Sequence, residues 1–106
     1  MVEVKAKLWL EKDSRFILGA GRAELLRNVR DTGSLVKAAK AMDMSYSHAW
    51  SEIRDISEAV GNPVIETTRG GSTGGSSKLT KLGIDILKQF EKEMKMLDRH
   101  LNGRNR

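Results

Sequence analysis

The residues with the most chemistry to offer form one short run, Ser45-Tyr46-Ser47-His48-Ala49-Trp50-Ser51. Ser45 is suited to cap a helix, its side-chain oxygen accepting from a free backbone N–H of the first turn. Tyr46, Ser47 and His48 then occupy that first turn, with the Tyr46 hydroxyl free to reach a phosphate. Ser47, His48 and Ser51, with Arg54 and Asp55, fall on the outward side. Side chains that both donate and accept suit the edges of base pairs in a major groove. A second set lies further along, where Arg69 opens and Lys78 closes the Gly-rich stretch GGSTGGSS over 70–77. Gly70 and Gly71 let backbone N–H groups come close to a phosphate, with hydroxyls beside them.

Other chemistries fit poorly. Residues 70–77 match G-x-x-x-x-G followed by two serines, but Ser76 stands where a nucleotide phosphate loop needs lysine, and the preceding VIETT is half polar. The histidines, His48 and His100, are far apart and there is no cysteine, which argues against a metal site and excludes disulfides. No carboxylate pair or Ser/His/Asp set stands out, so neither an enzyme nor a cofactor is expected.

The elements that must position these groups can be read from periodicity. Val2, Val4, Ala6, Leu8 and Leu10 alternate with polar residues and predict a strand with one buried face. Lys12, Asp13 and Ser14 predict a turn, 15–18 a short second strand, and the GAG at 19–21 a break. Leu25, Leu26 and Val29 predict a helix over 22–31, ended by Thr32 and Gly33. Ser34 caps a second helix with the stripe Leu35, Ala38, Ala39 and Met42, and Asp43 suits the left-handed turn after it. The third helix carries Tyr46, Ala49, Trp50, Ile53, Ile56 and Val60 on one face, with Trp50 expected in the core, and Gly61, Asn62 and Pro63 stop it.

Two helices joined by a tight turn, with small residues where they cross and polar residues opening the second, are what a helix-turn-helix needs. An ordinary helical hairpin shares that pattern. The strand over 64–68, the Gly-rich loop and a brief return at Lys78–Leu79 follow in the order of a wing, which the flanking Arg69 and Lys78 favour over a solvated linker. Thr80 caps a last long helix, along which Gly83, Leu87, Phe90, Met94, Leu97 and Leu101 recur at spacings of 4 and 3. A helix of about 20 residues extends some 30 Å, further than a small domain covers. Leu87, Phe90, Met94, Leu97 and Leu101 are therefore expected to form a homodimer interface, and the NGRNR tail to fray.

The fold class expected is mostly α with a little β. An N-terminal strand or hairpin spans 1–20, a winged helix-turn-helix 21–80, and a dimerisation helix and tail 81–106. The 106 residues suffice for one modest core. No apolar run is long enough to span a membrane and no export signal is evident, so the cytoplasm is the expected location. A net charge of +5 favours an acidic polymer as partner, although residues 34–60 carry −1.

Four stretches, Gly33–Lys40 (GSLVKAAK), Met44–Trp50 (MSYSHAW), Thr68–Gly75 (TRGGSTGG) and Leu79–Gly83 (LTKLG), resemble the N-terminal DNA-binding domain of the molybdate-responsive ModE regulators and, more distantly, that of LysR-type regulators. The resemblance runs from about residue 20 to 100. It implies a winged helix, a dimer built from the first and last helices, and an inverted-repeat site on double-stranded DNA. It also implies DNA contact by Ser45, Tyr46, Ser47 and His48, and by Arg69 and the wing glycines. Full-length members carry a C-terminal oxyanion-binding module that these residues lack, so no direct molybdate binding is expected. The competing functions are a non-specific DNA-coating protein, disfavoured by the −1 segment, and a protein-interaction module, for which Glu52, Asp55 and Glu58 are the best support.

Overall fold

A computed structural model describes residues 2–68 and 76–105. The first hairpin pairs β1 (Leu10–Lys12) with β2 (Arg15–Leu18), and its two-residue turn places Asp13 and Ser14 at φ 50° and 65°. Left-handed backbone at both turn positions matches the twist of the flanking strands. The strand expected over 2–10 is therefore displaced. Only Leu10 of it is paired, while Val2 is fully exposed and Val4 is 40 % exposed. Alternation supplies a face, but a strand also needs a neighbour, and the Asp13–Ser14 turn assigns that neighbour to residues 10–12.

Helix α1 (Ala20–Thr32) buries Ala23, Leu25, Leu26 and Val29 and closes on Gly33, whose N–H donates to Val29 O at φ 70°. It begins two residues before the expected start, so Ala20 and Gly21 lie in its first turn rather than in a break. Ser34 caps α2 (Leu35–Ala41) by accepting from Lys37 N. The turn out of α2 places Asp43 at φ 52°, as its residue type suggests. Ser45 then caps α3 (Tyr46–Val60) by accepting from His48 N, and Gly61 ends it at φ 88°. The small Ala38, Ala39 and Ala49, all buried, lie in the two helices that pack here.

The second hairpin pairs β3 (Ile65–Thr68) with β4 (Ser76–Leu79), Ile65 opposite Leu79 and Thr68 opposite Ser76. The returning strand is thus longer than Lys78–Leu79, and Ser76 and Ser77 belong to it rather than to the loop. Ser77 is buried and its N–H donates to Gly33 O at 2.8 Å, tying the hairpin to the entrance of α2.

Helix α4 (Lys81–Arg104) is capped by Thr80, which accepts from Gly83 N and donates through Oγ1 to Pro63 O. Gly83 is required by closeness: a Cβ there would stand 2.2 Å from Val64 O. The 24 residues of α4 extend about 36 Å, and the helix continues through Asn102 and Gly103, where fraying was expected.

The core joins β2, α1, α2, α3, β4 and the first turns of α4. Leu87 and Phe90 lie inside it at 1 % and 3 % exposure, so the seam of α4 divides. Its first half is core, Met94 packs against that core while partly buried, and Leu97 and Leu101, also partly buried, lie beyond it. Trp50 is the other departure. It is 44 % exposed, because it lies roughly a quarter turn from the centre of the stripe Ala49, Ile53, Ile56 and Val60.

Candidate nucleic-acid interface

Three capped or left-handed positions, Ser34, Asp43 and Ser45, fix where α3 begins and which face it turns outward. Its buried stripe sits against the core, and the opposite face carries Ser47, Ser51, Arg54 and Glu58. Two flanks separate these faces, and their chemistry differs.

One flank faces the start of α1. Arg22 there donates Nε to Glu52, Nη1 to Ile17 O at 2.9 Å and Nη2 to Asp55 at 3.4 Å, with its guanidinium carbon 4.9 Å from the Phe16 ring centroid. Glu58 is answered by Arg15 at 3.4 Å. His48 Nε2 lies 3.4 Å from the other oxygen of Glu52, so its imidazole leans along the helix toward this network. Each of the three carboxylates of α3 thereby has a cation of the N-terminal hairpin or α1 within 3.4 Å, but only the Glu52 contact is shielded from water. Arg54, the cation of α3, has no ion-pair partner among the described residues.

The other flank faces the base of the second hairpin. Ser47, Trp50, Ser51, Ile53, Arg54 and Ser57 line a groove of about 600 Å³ together with Pro63 and Ile65. Its walls alternate apolar surface with hydroxyls and one guanidinium. Tyr46 is half exposed at its mouth end of the helix. Ser47 and Ser51 therefore share a groove, and Ser45 serves the helix as its cap. Sequence reasoning placed Trp50 in the core and left Arg54 off the binding set. The signal for Arg54 was present: it follows Ser47 by seven residues and Ser51 by three, which puts all three on one side of a helix.

In the wing, Lys78 stands opposite Glu66 in register and 3.8 Å from its carboxylate, both side chains being largely exposed. Arg69, Gly70 and Gly71 lie outside the described residues. No group of acidic, histidine or cysteine side chains that could hold a metal occurs among the described residues, and no described helix is long and apolar enough to cross a membrane.

Residues 21–84 match the family described as bacterial regulatory helix-turn-helix protein, lysR family. The chain is 28 % identical over 90 residues to the transcriptional regulator ModE of Yersinia pestis, a match covering 85 % of this chain and 34 % of that protein. It is 31 % identical over 85 residues to the molybdenum transport protein ModE of Azotobacter vinelandii, covering 80 % and 32 % respectively. The chain thus spans about a third of the length of these relatives. Among solved structures, its fold is similar to the DNA-binding domain in a CbnR–DNA complex, with TM-score 0.60, 17 % identity and coverage of 78 % of this chain and 90 % of that one. The DNA-binding domain of BenM in a complex with catB site 1 DNA gives TM-score 0.60 at 19 % identity, over 80 % and 89 %.

Proposed function

Because the chain belongs to the lysR family of bacterial regulatory helix-turn-helix proteins, we propose that it reads a specific inverted-repeat sequence in double-stranded DNA as a cytoplasmic homodimer, and regulates transcription without catalysing a reaction. The observation that carries this reading is the division of charge on α3. Glu52 and Asp55 are drawn toward Arg22, while Ser47, Ser51 and Arg54 face the groove beside Trp50. A helix presenting hydroxyls and a guanidinium, with Glu52 drawn back onto Arg22, suits entry into a phosphate-lined major groove.

In this reading Ser47 and Ser51 meet base edges, with His48 beside them. Ser45 sets the start of the helix, and Tyr46 reaches the sugar–phosphate backbone. Arg69, Gly70, Gly71 and Lys78 follow the backbone as a wing. Leu97 and Leu101, on the overhang of α4, together with the exposed part of Met94 at the edge of the core, supply apolar surface for a second copy. The protein-interaction alternative keeps part of its support: Glu52 is held by Arg22, but the Asp55 and Glu58 side chains stay about half exposed.

Selection of bound duplexes from a random DNA pool tests the proposal. A dimer of helix-turn-helix units should enrich an inverted repeat whose half-sites lie about one helical turn, or a multiple of it, apart. Recovery of bound DNA with no enriched sequence would overturn sequence-specific reading and favour coating of DNA.

A further inference from the structure

The segment preceding the first hairpin has a strand's sequence and no strand to pair with. Val2, Val4, Ala6 and Leu8 alternate with Glu3, Lys5 and Lys7, yet β1 starts only at Leu10. The chain is nonetheless extended there. Lys5 Nζ lies 3.4 Å from Glu3, and Trp9 Nε1 donates to Glu11 at 2.7 Å. Side chains two apart share a face in an extended chain and not in a helix.

One edge of this segment is satisfied by the end of α4. Val4 N–H donates to Asn105 Oδ1 at 2.9 Å, and Asn105 Nδ2 donates back to Val4 O at 3.0 Å. The side-chain amide closes on Val4 the two-bond ring that a neighbouring strand residue would close. Backbone groups of successive residues in an extended chain point to opposite edges. Glu3, Lys5 and Lys7 therefore turn their N–H and C=O away from α4, where they meet no hydrogen-bond partner among the described residues. An open edge of this kind is a template for another strand.

We propose that this edge is a dimerisation strand: residues 2–6 of two copies pair antiparallel across a two-fold axis at Val4. The charges select the register. With the axis at Val4, Glu3 of each copy stands opposite Lys5 of the other, giving two opposite-charge pairs on hydrogen-bonded positions. Moving the axis to Lys5 keeps two opposite-charge pairs, Glu3 opposite Lys7, but adds lysine against lysine, and moving it to Glu3 sets glutamate against glutamate, so the axis at Val4 is the one of the three with no like-charge pair. The pairing rests on the homodimer proposed above and extends it from the overhang of α4 to the segment hydrogen-bonded at its end.

Cysteine trapping tests this directly, because the chain has no cysteine of its own. Val4 against Val4 is a non-hydrogen-bonded pair, whose Cα atoms sit about 4.5 Å apart, within disulfide reach. Under mild oxidation Val4→Cys should convert most of the protein to a covalent dimer, whereas Ala6→Cys, opposite Val2 in this register, should stay largely monomeric on a non-reducing gel. Glu3→Lys should weaken the dimer severalfold by sedimentation, and Glu3→Lys/Lys5→Glu should restore it. If the unmodified chain sediments as a dimer but Val4→Cys does not crosslink, or Lys5→Cys crosslinks in its place, the strand pairing falls and the dimer stands. If the chain sediments as a monomer, both fall.

Discussion

At the scale of single residues, Arg22 decides what α3 can present. Its side chain is 18 % exposed and that of Glu52 25 %, so their contact is largely shielded from water. Arg22→Gln should lower stability by about 1–3 kcal/mol, since a charged hydrogen-bond partner is lost and Glu52 is left without its cation. It should also weaken DNA binding, because a released carboxylate on α3 repels phosphate. Adding Glu52→Gln should recover most of both losses. Denaturant midpoints and affinities of the single and double variants check this; a double variant no better than the single would show that Arg22 acts through Ile17 O or Phe16 instead. Neither side of this pairing was legible from the sequence, because Arg22 and Glu52 are 30 residues apart and no local period links them. Caps were legible for the opposite reason. Ser34, Ser45 and Thr80 each bond within three residues of themselves, so residue type and spacing suffice. Trp50 shows where a period fails: at the edge of a helical stripe, the neighbouring wall decides burial, and here that wall stops at Pro63 and Ile65.

At the scale of elements, α4 has two functions joined end to end. Its first turns complete the core through Gly83, Ile86, Leu87 and Phe90, and its last turns extend past it. Replacing Phe90 with Glu should unfold the domain, because a carboxylate would be buried without a partner. Leu97→Glu/Leu101→Glu should instead keep the melting temperature within a few degrees and shift the chain to monomer in sedimentation. If that variant remains fully dimeric, the overhang is not the interface. The heptad spacing identified the seam but could not mark where core gives way to overhang, since that boundary depends on where α1 and the hairpins end. The same limit explains the N-terminal segment. Alternation from Val2 to Leu10 predicted a strand with one buried face, but strand pairing is non-local, and the Asp13–Ser14 turn gave the available partner to residues 10–12, leaving Val2 and Val4 exposed. The wing was legible in its order and imprecise at its return, where burial of Ser77 against Gly33 draws Ser76 and Ser77 into the strand.

At the scale of the whole molecule, a net charge of +5 draws the chain to a polyanion, but attraction alone distinguishes no sequence. Specificity in this account comes from one helix face, held outward by the caps at Ser34 and Ser45 and the turn at Asp43, with Glu52 drawn back onto Arg22. The most direct test is the ratio of affinity for a selected duplex to affinity for random DNA, measured at fixed salt for the unmodified chain and for Ser47→Ala/Ser51→Ala. Neither serine is among the buried core residues, so the melting temperature should hold. The ratio should fall roughly ten-fold, the low end of what one good base contact contributes, about 1–3 kcal/mol. A variant that binds its selected site with the full ratio intact would contradict the claim that the outward face of α3 reads the bases.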